Sequence, residues 1–164
     1  MMGRRVDGEP NDFAIWHPKL QRMYRYWESR RPGPGLLPGR QHIDPLDIPD
    51  LLPGIWLLDV QHEPFRLRYR LVGTRIVEAI GREVTGRWLD EAHPHLAPHS
   101  GYVQRYRTVV ETRFPSRRRG KAMLWQHEDY REIENTIYPL ATDGTKVDLL
   151  LILTVVYRTD GSSN

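Results

Sequence analysis

Three histidines lie close together in the middle of the chain, shortly after two acidic residues, and are His93, His95 and His99. Imidazole and carboxylate groups are common ligands of zinc and iron, so this segment could hold a metal ion. Pro94 and Pro98 would break any helix that aligned the three side chains, and the sequence shows no obvious second cluster of ligands. We therefore expect a loop of exposed histidines and no metal site.

Aromatic and methionine side chains in the second half of the chain could line a ligand cavity between helices and a sheet. Such cavities are apolar and carry a few placed polar groups, and Asn135, between Ile133 and Ile137, could be one of them. The same residue types are also typical of plain core, and Asn135 could equally bond to a neighbouring side chain. The candidate cavity residues are Trp88, Tyr102, Tyr106, Met123, Trp125 and Asn135.

Patterns that support covalent or acid–base catalysis are missing. Cysteine is absent, which excludes disulfides, thiolate metal sites and cysteine nucleophiles. Ser100 and Ser116 lack the setting of an activated nucleophile. The acidic pairs are neighbours in sequence, with nothing to mark them as facing carboxylates, and no phosphate-binding glycine loop occurs. We predict that the chain is not an enzyme.

Composition indicates an ordinary globular domain, with 39% hydrophobic and 27% charged residues. No apolar stretch reaches the roughly 18 residues of a membrane span, and no secretory signal is recognisable, so we expect a cytoplasmic protein without membrane contact. The net charge of +3 is mild. Two arginine groups, at 66, 68 and 70 and at 117–119, are interpreted as solvated strand faces rather than as a nucleic-acid surface.

The chain contains two hydrophobic runs of strand length, at residues 55–60 and 149–156, from which the fold can be predicted. Both are apolar at odd and even positions, which is typical of strands covered on both faces. We therefore predict that the first and last strands are central and adjacent. With further strands at 65–72, 118–126 and 130–140 and helical segments between, the chain predicts an α+β domain. Its five-stranded antiparallel sheet has the order 2-1-5-4-3, with helices on one face.

Helical spacing in the N-terminal part indicates a helix over residues 18–30. Further helices are expected at 46–52, at 74–80 and after Ser100, with loop and turns at 82–98. The N-terminal helix is a candidate to cover the second face of the sheet, and a second subunit is the other candidate. Its apolar stripe consists of Leu20, Met23, Tyr24 and Trp27.

Three stretches of sequence carry a resemblance to a known family. They are Leu-Pro-Gly-Arg-Gln-His-Ile-Asp-Pro-Leu-Asp-Ile-Pro-Asp-Leu-Leu-Pro at 37–53, Arg-Tyr-Arg-Leu-Val-Gly-Thr-Arg at 68–75 followed by Gly-Arg-Glu-Val-Thr-Gly at 81–86, and Pro-Leu-Ala-Thr-Asp-Gly-Thr-Lys-Val-Asp at 139–148. Together they resemble the PAS domain superfamily, and within it the bacterial subgroup known as family five. The resemblance covers about residues 16 to 157 and implies a signalling domain without catalytic residues, and it carries over no ligand.

Composition and the resemblance together suggest how the chain is organised. We expect a disordered tail at 1–15, an N-terminal helix and Pro/Gly linker at 16–40, the PAS domain at 41–158 and a polar tail at 159–164. We expect a stand-alone sensory or protein-interaction domain in bacterial signal transduction, acting in trans through ligand- or partner-dependent changes in a dimer or a docking surface. PAS domains resemble one another in using the outer sheet face for dimers, so both the N-terminal helix and a homodimer are expected there.

A haem-binding gas or redox sensor is the alternative. Residues 99–107 resemble the proximal-histidine helix of oxygen-sensing haem PAS kinases. This resemblance implies His99 as the iron ligand and Arg105 near a propionate, in line with axial histidine ligation. The competing interpretation is that Ser100 caps the helix and His99 only precedes it. No cofactor is required by the remaining sequence.

Overall fold

The chain folds into a five-stranded antiparallel sheet with helical segments on both faces. The computed structural model describes residues 9–96, 101–123 and 130–163. The strand order is β2-β1-β5-β4-β3, which confirms the predicted topology. The strands are β1 (Ile55–Gln61), β2 (Arg66–Val72), β3 (Ser116–Gly120), β4 (Tyr130–Leu140) and β5 (Leu149–Arg158).

The helices are α1 (Pro18–Ser29), α2 (Thr74–Ile80), α3 (Leu89–Ala92) and α4 (Tyr102–Thr112). The helix expected at 46–52 is wrong, because the prolines in this stretch leave only the 3-10 turns Pro45–Asp47 and Leu52–Gly54. β3 is also shorter than predicted and ends at Gly120. None of the helices in the described ranges is long and apolar enough to cross a membrane.

The two hydrophobic runs lie side by side near the middle of the sheet, as predicted. β5 pairs with both β1 and β4, and its residues 149–156 are all buried. In β1, Trp56 and Leu58 face one side of the sheet, while Ile55 and Leu57 face the other. All four are at most 4% exposed. Burial on both faces explains why neither run alternates with polar residues.

One face of the sheet, here called the outer face, is covered by α1. The Trp27 indole Nε1 donates to the carbonyl of Pro139 at 3.0 Å, and the Tyr138 hydroxyl donates to the carbonyl of Leu20 at 3.3 Å. The four predicted stripe residues of α1 are each at most 6% exposed. They are therefore used by contacts within the chain, and a second subunit could reach them only if α1 were displaced.

The N-terminal segment before α1 is anchored to the sheet by a buried carboxylate. Glu134 of β4 is fully buried and accepts from the His17 amide at 2.9 Å and from the Tyr157 hydroxyl at 2.8 Å. Its Oε2 also lies 3.2 Å from the Arg117 guanidinium. Phe13 packs against Trp16 with ring centroids 5.0 Å apart. Within the segment 1–15 that was expected to be a disordered tail, residues 13–15 form a 3-10 turn, and Phe13 alone of the three is buried in the core.

The opposite, inner face lies beneath α4 and α3. Tyr106 and Val109 of α4 are buried there. The outer edge of β2 is partly covered by residues that follow it in the chain. The Tyr69 amide donates to the Arg87 carbonyl at 2.9 Å, and the Gly86 amide donates to the Tyr69 carbonyl at 2.7 Å. This edge pairing leaves less of β2 open to unwanted strand addition.

Candidate functional site

A pocket of about 210 Å³ lies on the inner face, between α4, β4 and residues 121–123. Side chains from the sheet form its floor, and side chains from α4 form one wall. Residues 97–100 and 124–129, which flank the pocket in sequence, lie outside the described ranges. Its mainly apolar lining comes from Trp56, Tyr102, Tyr106, Ala122, Met123 and Ile133.

Strand pairing places the polar groups of the pocket next to one another. Arg118 of β3 lies directly opposite Asn135 of β4, and Asn135 lies opposite Thr154 of β5. Partners that face each other across antiparallel strands point to the same side of the sheet. The result is a row of polar side chains that crosses three strands in an otherwise apolar face.

Arg105 connects α4 to this row. Its guanidinium donates to Asn135 Oδ1 at 2.7 Å, to Ser116 Oγ at 3.0 Å, and to the carbonyls of Ser116 and Asn135 at 3.0 and 3.3 Å. All four acceptors are uncharged. Removal from water lowers the pKa of Arg105 to about 10, and the nearby charge of Arg118 acts in the same direction. Arg105 is thus a desolvated cation that keeps its charge at neutral pH.

Arg118 is the second cation of the pocket. Alternation along β3 turns Arg118 inward, while Arg117 and Arg119 face outward and pair with Glu134 and Glu132 at 3.2 and 2.6 Å. Arg118 instead donates to the carbonyl of Lys121 at 2.7 Å. Within the described residues, no carboxylate lies within 4 Å of Arg105 or Arg118, whereas every other arginine in the two strand groups has one.

Three further groups complete the walls. The hydroxyls of Tyr102 and Tyr106 are 2.6 Å apart, and burial raises the pKa of both above the usual value for tyrosine. Trp56 Nε1 donates to Thr154 Oγ1 at 3.0 Å, which fixes the indole against the floor of the pocket. Both tyrosines are therefore neutral at physiological pH and act as hydrogen-bonding groups.

A second pocket of similar volume lies between β2, α3 and α4, and Tyr102 borders both pockets. Arg66 lines this second pocket. Its charge is neutralised by Asp90 at 2.8 Å, and its guanidinium stacks 4.1 Å from the ring centre of Trp88. Arg107 also lines the second pocket; it has no ion pair among the described residues, and its guanidinium lies 4.8 Å from the ring centre of Phe65. The first pocket differs because two such arginines, Arg105 and Arg118, line it together.

The structure brings together four of the predicted cavity residues, Tyr102, Tyr106, Met123 and Asn135, and adds Arg105 from the haem alternative. It places Trp88 elsewhere, beneath Arg66 at the edge of β2. Trp125 and His99 lie outside the described residues. Sequence reasoning missed Trp56, Arg118 and Thr154. The alternation of the arginine triplet could have singled out Arg118, since its central member must face opposite to the other two.

The histidine segment differs from its prediction. His93 is only 2% exposed, and its Nε2 lies 2.7 Å from the Tyr69 hydroxyl. Burial lowers the pKa of His93 to about 4. His93 is therefore a core residue and not part of an exposed loop. No group of three metal-binding side chains occurs in the parts of the chain that the structure describes.

The described part of the pocket gives the haem alternative no support. Its volume of about 210 Å³ is below the range of roughly 300–1,000 Å³ that holds drug-sized ligands. The hydrogen-bonding groups of Arg105 are mostly taken by Ser116 and Asn135, which leaves little for a propionate. The proposed iron ligand His99 lies outside the described residues. A smaller ligand suits these walls better.

Comparison with known proteins gives a family, and it also gives a distant structural likeness. The family model described as PAS domain, of the PAS family-five type, matches residues 15–154. The chain is also similar to a solved fungal LOV-domain photoreceptor, with 15% identity, 70% of this chain and 92% of that chain covered, and a TM-score of 0.43. Comparison with curated proteins gives no match.

Proposed function

Since the chain belongs to the PAS-domain family, whose fold senses signals, we propose that it is a sensory and protein-interaction domain that binds a small molecule in the inner-face pocket. PAS domains are typically sensory rather than catalytic, and a non-catalytic role is part of the proposal. The observation that carries it is the pocket itself, an apolar space into which Arg105, Arg118 and Asn135 project. This combination is typical of ligand sites.

Transmission of the signal would use the bridge between α4 and the sheet. Arg105 joins α4 to both β3 and β4, so a ligand that contacts Arg105 touches all three elements. A ligand changes the protein only if it binds one arrangement of α4 on the sheet more tightly than another. We propose that this shift alters a homodimer or a docking surface for a signalling partner in a bacterial cell.

Native mass spectrometry of the purified protein tests this proposal, because it detects a retained small molecule and the oligomeric state in one measurement. Ala122→Trp, which fills the pocket, should abolish retention. Ala14→Trp is the matched control, since Ala14 is exposed and lies in the Phe13–Ile15 turn outside the pocket lining.

Retention of the same compound by Ala122→Trp would contradict binding in this pocket. If the purified protein retains no compound, the test instead screens a fragment library for binding, with amide NMR shifts as the readout. Shifts around α4 and β4 that disappear in Ala122→Trp would support the proposal, and a library without any such shift would refute it.

A further inference from the structure

Arg105 and Arg118, which have no carboxylate partner among the described residues, indicate the chemical class of the ligand, on the premise that the pocket is the ligand site proposed above. We infer that the ligand is a small carboxylic acid with an apolar body, and that its carboxylate lies against Arg118 with Arg105 behind it. Both guanidiniums line the pocket.

The arginines of the two strand groups provide the contrast on which the inference rests. Arg66, Arg68, Arg70, Arg117 and Arg119 each lie within 3.5 Å of a carboxylate. Arg118 has no such partner among the described residues. A partly buried cation beside a second cation is unfavourable unless an anion joins them. A ligand carboxylate would supply the missing negative charge.

The two arginines have different roles. The Arg105 guanidinium already makes four hydrogen bonds to Ser116 and Asn135. It would therefore attract a ligand mainly through its positive charge. Within the described residues Arg118 makes one hydrogen bond, to the Lys121 carbonyl, so its other N–H donors are available to a ligand. A Cβ at Gly120 would lie 3.1 Å from Arg118 Nη2, so the glycine provides the room in which the guanidinium folds back.

The rest of the pocket favours a carboxylate over a phosphate. A guanidinium fork matches the two oxygens of a carboxylate, and each charge-assisted bond is stronger than a neutral one. Apart from this polar row, the lining is apolar and aromatic, with Trp56 and Ile133 on the floor and Tyr106 in the wall. A doubly charged phosphate would lose more hydration in such a space. The volume of about 210 Å³ limits the apolar body to a small group.

The test compares benzoate with its neutral analogue benzamide and with phenyl phosphate, by calorimetry and amide NMR. Benzoate should bind at least tenfold more tightly than benzamide and more tightly than phenyl phosphate. Arg118→Met should weaken benzoate by about tenfold to hundredfold, the loss expected for a hydrogen-bonded charge, and leave benzamide unchanged. Arg119→Met is the matched control, because this neighbouring arginine faces outward and pairs with Glu132.

The outcomes separate this inference from the proposed function. Equal binding of benzamide and benzoate, or benzoate affinity unchanged in Arg118→Met, would overturn the carboxylate while leaving a small-molecule pocket in place. Preference for phenyl phosphate would replace carboxylate by phosphate. A retained natural compound without an acid group would also refute the inference alone. Failure of all three probes together with an empty fragment screen would refute both.

Discussion

Glu134 offers a sharp test of how the outer face is held together. Its carboxylate is fully buried and receives the His17 amide, the Tyr157 hydroxyl and the Arg117 guanidinium. The replacement Glu134→Ala removes the acceptor of all three groups. Two residues earlier, Glu132 pairs with Arg119 on the same face of β4, but these side chains are 28% and 43% exposed. The two glutamates therefore form a matched pair that differs in burial.

The magnitudes follow from that difference. The side chains of Glu134 and Arg117 are only 1% and 12% exposed. Breaking a buried ion pair by removing one partner costs about 3–5 kcal/mol, since it leaves a desolvated charge behind. An exposed pair contributes about 0–1 kcal/mol. Glu134→Ala should thus lower the free energy of unfolding by several kcal/mol, and Glu132→Ala by less than about 1 kcal/mol.

Urea denaturation followed by circular dichroism measures both values, and amide hydrogen exchange reports whether residues 13–17 detach from the sheet. The double replacement Arg117→Met with Glu134→Leu should recover the part of the loss that comes from the unpaired guanidinium, while the His17 amide and the Tyr157 hydroxyl still lack their acceptor. Equal small losses for Glu134→Ala and Glu132→Ala, or unchanged exchange at the His17 amide, would refute the reasoning.

Two further predictions concern the inner face and the start of α2. Because burial lowers the pKa of His93 from 6.5 to about 4, the unfolded chain takes up the proton first, and stability falls as pH drops through that window by up to about 3 kcal/mol. His93→Gln should flatten this part of the pH dependence in thermal denaturation, and identical slopes would contradict it. A Cβ at Gly73 would meet three backbone carbonyls at 2.5–2.7 Å, whereas one at Gly33 meets only a Leu36 methyl at 3.5 Å. Gly73→Ala should therefore destabilise by about 1–3 kcal/mol or more and Gly33→Ala by less than about 0.5 kcal/mol in urea denaturation, and equal effects would refute this.

The strand order was predictable because it depends on the hydrophobic pattern within each strand, which can be read from a single sequence. A strand covered on both faces is apolar at consecutive positions, and this pattern predicted that β1 and β5 are neighbours near the centre of the sheet. The stripe of α1 was predictable for a similar reason, since helical spacing brings Leu20, Met23, Tyr24 and Trp27 to one side. Short helical segments were less predictable, as 46–52 and α3 show, because a single turn has little periodicity.

The candidate site was predictable only in part. Tyr102 and Tyr106 share a helix face, so their proximity follows from spacing. The pairing of Arg118 with Asn135 depends on strand register, and register is set by contacts between distant segments. The position of Trp88 depends on residues 86–88 running back along the edge of β2, and no local sequence pattern predicts this pairing.

The sequence by itself determined the family, the sheet order and the amphipathic N-terminal helix, since each rests on residue types and their spacing. Only the tertiary structure decided which charges are neutralised. Ion pairing depends on distances of a few ångströms between residues that are far apart in the chain. Neighbouring arginines of one triplet also point to opposite faces of their strand. That difference sets Arg118 apart from Arg117 and Arg119 and directs its charge into the pocket.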